Sequence, residues 1–472
     1  MSAAALLASY GFEVDVYEKN SRPGGKAGEI NNNGFRFDTG PSLLTMIFVI
    51  ADLFKKCGKD INSYCNIRPL EILCRYFYSD GTTIDAFSDF EKFKNELVLK
   101  TCMKAEELDR YFRYCGKIYN LTSDIFLFGK VYDYRTYLKR SSLKALLNIK
   151  SLDPFRTMHD ANSSFFRDKR IVQLFDRYAT YNGSDPYRCP ATLNIIPYVE
   201  HILGGYFVDG GMYELTRAFY KLCIDKKVKF YFNSEVEKIN INQNTLTSVQ
   251  VSGNRIHYDI IISDIDCNTF YNNLLKGHKK IFNDKDLSSS ALVFYLGLKI
   301  SSERLNIHNI LFSEDYRNEF DEIFHRKVYP SDPTVYIYIS SKLSVTDAPP
   351  GHENWFVMIN APVINENLSD IEPVRTRIIS KIKDMTGYDI KDKIIYESVM
   401  TPYDIELNSG SYKGAIYGLS SNSAKSAFLR HPNKSRHYSN LYFCGGSSHP
   451  GGGIPLVVLS GYNAADEIIN SS

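Results

Sequence analysis

Hydrophobic residues cluster at both ends of the chain in patterns that predict the same kind of unit. Near the C-terminus, Leu441 to Cys444 reads as a buried strand, a glycine-dense turn follows, and an apolar helix opens at Pro455, where proline is well tolerated. At the N-terminus, residues 3–9 read as a small-residue helix, Gly11 as its stop, and Phe12 to Tyr17 as a strand ending in Glu18. Between them, Lys229 to Ile239 contains strand-like segments, Ser252 to Arg255 marks a hairpin turn, and Tyr258 to Ser263 reads as a buried strand delivering Asp264. The runs Leu292–Leu298, Val335–Ile339 and Trp355–Ile359 suit one mixed or antiparallel sheet. In 370–385, Ile371, Val374, Ile378, Ile379 and Ile382 share one helical face.

The glycines add chemistry to this pattern. Gly445, Gly446, Gly451, Gly452 and Gly453 remove side chains from a turn that a large flat group could approach, although such turns also serve as plain connectors. An acidic residue ending the second strand of a dinucleotide fold accepts ribose hydroxyls, the role expected of Glu18. After it, Gly24 and Gly25 are bracketed by Lys19, Arg22 and Lys26, a set suited to a pyrophosphate.

These motifs, from Glu18 through Arg22-Pro-Gly-Gly-Lys26, Phe37-Asp-Thr-Gly-Pro41, Tyr206-Phe-Val-Asp-Gly-Gly-Met212 and Asn440 to Ile454, resemble the bacterial phytoene desaturases, flavoenzymes of the amine-oxidase-like fold. Phe175 to Ser184, Asn309 to Ser313, Ala348 to Phe356 and Thr401-Pro402 extend the likeness over essentially the whole chain. The wording is closer to the branch acting on end-modified carotenoids, such as the hydroxycarotenoid 3,4-desaturases. The resemblance implies an α/β protein that binds FAD and introduces double bonds into a polyene. A discontinuous Rossmann-like FAD-binding domain would comprise residues 1–45, 205–275 and 425–472, with a mixed-sheet and helical substrate domain in 46–204 and 276–424. It also places Gly40, Pro41, Ser42, Asp264 and Ile454 at the cofactor, and the backbone around Val236 on its adenine side. A quinone or oxygen would take the electrons. Isomerisation or oxidation of a carotenoid on the same fold remains an alternative.

One departure stands out. Such flavoproteins open with a strand and a Gly-x-Gly-x-x-Gly turn about 20 positions before the acidic residue, which here falls just before residue 1. The expectation is that about 15 to 20 residues are absent, the length of one strand and its turn. If Met1 is the native start, a non-catalytic carotenoid-binding role becomes the competing reading.

Composition narrows the classes. With 56 basic and 54 acidic residues among 472, nothing favours nucleic acid as a partner. The 34 Tyr and 29 Phe suit a polyene channel, or reflect a compositional bias. Nine cysteines without metal-ligand spacing predict no metal and a reducing, cytoplasmic setting. Residues 125–156 interleave Lys130, Arg135, Lys139, Arg140, Lys144, Lys150 and Arg156 with aromatic and aliphatic residues, as a peripheral membrane segment or an ordinary amphipathic surface would. No catalytic residue is assigned. His449 is expected to hold its turn, and Asp176, Arg177, Tyr178, Glu200 and His201 to form buried polar pairs.

Overall fold

A computed structural model describes residues 1–129, 132, 149–275, 284–368, 370–423, 426–427 and 429–471. Most of the basic segment at 125–156, including Lys130, Arg135, Lys139, Arg140 and Lys144, lies outside the described residues. Arg156, which is described, is paired with Asp153 at 2.6 Å.

The two ends of the chain meet. The helix Ser2–Ser9 buries Ala3 to Leu7 and packs against the helix Ile454–Ile469. The approach is so close that a Cβ on Gly461 would run into Ser2 Oγ, which explains the small residues on both partners. Beside them, the strand Asp15–Tyr17 runs parallel to Lys229–Tyr231, and Ile261–Ser263 runs parallel to Leu441–Phe443. The first and third of these strands are shorter than their apolar patterns suggest. Their partners begin opposite Asp15 and Ile261, so Phe12 to Val14 and Tyr258 to Ile260 have no ladder to join. A meander of Val236–Asn242, Thr245–Val251 and Asn254–His257, turning at Ser252 and Gly253, flanks them.

The remaining residues build around a seven-stranded mixed sheet. Its order is Ile394–Met400, Ser290–Leu298, Glu353–Ala361, Val335–Tyr338, His308–Leu311, Ile72–Phe77 and Thr83–Phe87, with one parallel pair between His308–Leu311 and Ile72–Phe77. The strand Ser290–Leu298 shows why its sequence is apolar throughout. Leu292, Phe294, Leu296 and Leu298 join a core on one face with Val374, Ile378 and Ile382 of the helix Glu372–Thr386, while Val293 and Tyr295 join a separate core on the other. Both faces are covered, so alternation disappears. The second core includes Tyr111, Phe112 and Cys115 from the helix Ala105–Thr122 and Ile171, Leu174 and Phe175 from Lys169–Asp176. A small sheet joins Gly205–Val208 to both Leu44–Thr45 and Ile67–Pro69, and so ties together segments expected in different lobes.

Candidate functional site

The first half of the site hangs on the C-terminal ends of parallel strands, where ligands of open α/β sheets bind. Glu18 follows Asp15–Tyr17, and its backbone amide continues the ladder to the Tyr231 carbonyl at 2.9 Å. Its Oε1 accepts from Asn20 N and Nδ2, both at 2.8 Å, while Oε2 has no hydrogen bond among the described residues. Burial raises the Glu18 pKa, the Asn20 amide opposes that, and the charge of Asp264, at the end of Ile261–Ser263, raises it further.

The turn after Glu18 leaves no room for side chains at Gly24. Its φ is +122°, and a Cβ would stand 2.5 Å from the Ala27 carbonyl oxygen. Gly25 has φ +54° and faces open space. Lys26 is exposed, and the protein around it lowers its pKa by desolvation against the pull of Asp266. Its ammonium donates to Ser411 Oγ at 3.1 Å and to the Ile416 carbonyl at 2.7 Å. Asp266, in turn, is pushed up to about 6 by burial. A Cβ on Gly40 would collide with the Lys26 carbonyl. Beyond half-buried Pro41, Ser42 Oγ shares a 2.5 Å hydrogen bond with Tyr336, whose hydroxyl also meets His308 Nδ1 at 2.7 Å.

The other two predicted cations each place one donor on a backbone carbonyl and keep the rest. Lys19 donates to the Leu407 carbonyl, and Arg22 donates to the Glu29 carbonyl while lying 5.8 Å from the centre of the Tyr213 ring. Val236 opens its strand opposite Val251 and packs with Tyr17 on the hydrophobic cluster behind Glu18.

The glycine turn forms the second half. A Cβ on Gly445 (φ +91°) would lie 3.0 Å from the Asp264 carbonyl oxygen, and one on Gly446 would come 3.7 Å from Gly452 Cα. At Gly451 (φ +131°) it would stand 2.7 Å from Arg430 Nε, and at Gly452 it would strike the Tyr417 ring. Gly453 (φ +98°) faces open space directly before the helix that begins at Ile454. That helix end presents amides without intrahelical acceptors and the positive pole of its dipole. Asn433 Nδ2 holds the turn by donating to the carbonyls of Phe443 (3.1 Å), His449 (2.9 Å) and Ser460 (3.3 Å). His449 is buried, Nε2 lies 2.9 Å from the Gly129 carbonyl, and burial lowers its pKa. A neutral, hydrogen-bonded imidazole fits the structural role expected of it.

The geometry thus joins both ends of the chain around one space, and comparison with known proteins agrees. A family model described as flavin containing amine oxidoreductase matches residues 1–286. The 1-hydroxycarotenoid 3,4-desaturase of Flavobacterium sp. (strain P99-3) is 41% identical over 477 residues, covering 100% of this chain and 97% of that protein. The chain belongs to the flavin-containing amine oxidoreductase family. A 4,4'-diaponeurosporene oxygenase of Staphylococcus haemolyticus (strain JCSC1435) is 34% identical over 99% of this chain and 94% of its own. An oxidoreductase from Methanosarcina mazei superimposes with a TM-score of 0.64 at 14% identity, over 98% of this chain and 97% of the other, which shows the shared fold.

As a member of this family the protein is an FAD-dependent oxidoreductase, and its residues fit that cofactor. The side-chain-free turns at Gly24–Gly25 and Gly451–Gly453, the ammonium of Lys26 and the unengaged Glu18 Oε2 supply close backbone approach, a cation and a hydroxyl acceptor. Sequence reasoning missed Tyr417, Arg430, Asn433 and Asp266. The His-Pro pair at 431–432, repeated at 449–450, is the one hint in the sequence that the two segments are related. On this arrangement Glu18→Ala is expected to weaken FAD binding roughly tenfold, about 1.4 kcal/mol, with the fold retained. Flavin titration and circular dichroism of the purified variant check both parts, and an unfolded variant would make Glu18 a structural carboxylate instead.

The polar residues expected to pair in the interior do so. Asp176 meets His159 Nδ1 at 2.6 Å and accepts from Asn162 at 2.8 Å. Tyr178 donates to Glu200 Oε1 at 2.7 Å and meets His201 Nε2 at 2.9 Å. With that proton on Nε2, His201 Nδ1 is a bare acceptor, consistent with its lack of a partner and with burial lowering its pKa to about 4. A cleft of about 760 Å³ lies elsewhere, between the helices Ala105–Thr122 and Ile195–Leu203.

Proposed function

We propose that this oxidoreductase is a carotenoid desaturase acting on an end-modified polyene. The observation that carries this reading is the full-length 41% identity to the 1-hydroxycarotenoid 3,4-desaturase. Desaturation removes two hydrogens from neighbouring carbons, and FAD supplies the two-electron acceptor that no side chain provides. The chain's own part is to hold the cofactor between the 18–28 and 445–454 segments, exclude water, and offer positive charge at the start of the helix Ile454–Ile469. An apolar polyene needs no polar anchor, so no acid or base is assigned. Half-buried Tyr181 and Tyr336, at the edge of the aromatic core between the seven-stranded sheet and the helices, offer apolar ring faces of the kind such a chain would pack against.

The cofactor lobe is assigned to residues 1–45, 205–275 and 425–472 and the substrate lobe to the rest. No described helix is long and apolar enough to cross a membrane. A water-insoluble substrate supports peripheral membrane attachment through the basic segment at 125–156.

Holoenzyme incubated with liposomes carrying an acyclic hydroxycarotenoid, with a quinone or oxygen as acceptor, is expected to release a product lacking two hydrogens. Sedimentation with anionic liposomes and turnover should fall together as salt is raised. A product that instead gains oxygen would favour the second reading, terminal oxidation, which rests on the 34% identical oxygenase. Absence of any conversion of carotenoids would overturn both.

A further inference from the structure

Arg430 is a buried cation with no anion among the described residues. The residue is only 4% exposed, and among the described residues it forms no salt bridge and one side-chain hydrogen bond, from Nη1 to the Tyr417 carbonyl at 3.0 Å. Nε and Nη2 have no partner among the described residues. Burial lowers its pKa to about 10 with no carboxylate to oppose the shift, so the guanidinium still carries its charge near neutrality. Burial lowers the pKa of the nearby His449 and the charge of Arg430 lowers it further, as a cation beside an imidazole must.

Such a group is costly. A charge largely removed from water without a partner destabilises a fold, and a hydrocarbon of similar size would be more stable there. Retention at that cost points to a ligand that is absent from the bare chain, and position identifies its class. The Arg430 carbonyl is fixed by the Tyr132 hydroxyl, Nη1 by Tyr417, and Nε lies where a Gly451 Cβ would be, 2.7 Å away. Tyr417 in turn fills the space beside Gly452, and the amide-rich start of the helix Ile454–Ile469 follows at Gly453. Arg430 and the helix end thus bring two independent sources of positive potential to one turn. Glu18, the carboxylate expected at the ribose, belongs to the other half of the site.

We infer that Arg430 is a cofactor-facing cation that binds reduced flavin more tightly than oxidised flavin, by meeting the negative charge that the pyrimidine ring gains on reduction. The inference rests on assigning the 445–454 turn to the flavin ring. It makes Arg430 a determinant of the driving force for desaturation, and gives a reason to leave a guanidinium uncompensated in the apoprotein.

The test compares Arg430→Met and Arg430→Lys with the parent. Spectroelectrochemical titration of Arg430→Met holoenzyme is expected to show the preference for reduced flavin falling about tenfold, read as a midpoint potential about 30 mV lower for the two-electron couple. Arg430→Lys should keep most of the parent value. The Arg430→Met apoprotein should melt at a higher temperature than the parent apoprotein, because an unpaired buried charge is gone. An unchanged potential with a lower melting temperature would reduce Arg430 to a structural donor for Tyr417 and overturn the inference. Loss of ADP affinity in step with FAD affinity would place it at the diphosphate and overturn it as well. Gly452→Ala, which perturbs the turn without altering charge, separates the two readings. If that variant binds flavin as the parent does, the assignment of the turn fails; if it loosens flavin while Arg430→Met leaves the potential unchanged, only the role of Arg430 fails.

Discussion

Gly452→Val protein is expected to purify folded but nearly free of flavin. The argument starts from the space around Gly452, where even a Cβ would strike the Tyr417 ring. Valine adds two methyl groups with a stiff χ1, so either Tyr417 or the turn must move. Tyr417 cannot move alone. Its carbonyl accepts from Arg430 at 3.0 Å, its amide donates to Ser288 Oγ at 3.1 Å, and the preceding carbonyl of Ile416 accepts from Lys26 at 2.7 Å. Displacement therefore reaches both halves of the site at once. Loss of close approach at the turn together with the Lys26 contact should weaken FAD at least a hundredfold, about 2.8 kcal/mol. Absorbance at the flavin band per chain, with circular dichroism as the control for folding, is the measurement. Parent-like flavin content would remove the 445–454 turn from the cofactor site.

That consequence was only half legible in the sequence. The glycines at 445–453 mark a place where side chains could be forbidden, although a plain connector would read the same way in the sequence. What forbids them was invisible. Tyr417 and Arg430 lie some distance back in the chain within irregular segments, with no periodicity to bring them to the turn. The same contrast runs through the fold. Long apolar runs such as Ser290–Leu298 are readable because both faces of the strand are buried. The parallel strand Asp15–Tyr17 is misjudged in length because its end is set by where Lys229–Tyr231 begins, a tertiary fact. Lys19 and Arg22 show the limit for charges: their spacing around Gly24–Gly25 suits a pyrophosphate, but the carbonyls of Leu407 and Glu29, which each accept one of their donors, could not be read from that spacing.

Glu200→Gln should cost about 3–5 kcal/mol of stability, the usual penalty for removing one partner of a buried ion pair. Arg177 is 7% exposed and Glu200 1%, with Nη2 3.6 Å from Oε1. The guanidinium lies 4.3 Å from the centre of the Tyr178 ring and 5.3 Å from those of Tyr76 and Tyr181, and Nη2 donates to the Tyr76 hydroxyl at 2.8 Å. These aromatic faces attract a cation, but they do not neutralise it. Without the carboxylate, Arg177 would be left charged in the core, and Tyr178 and Tyr181 would donate to a weaker acceptor. Removing the arginine as well should restore part of the loss, so the Arg177→Met, Glu200→Gln double variant is expected to be less destabilised than the sum of the single changes. Thermal and denaturant unfolding of the four proteins measures that coupling directly. Flavin content should stay near the parent value in each variant that folds, because neither residue belongs to the segments around the cofactor. If Glu200→Gln unfolds like the parent yet loses turnover, the network serves the chemistry of the chamber rather than its stability.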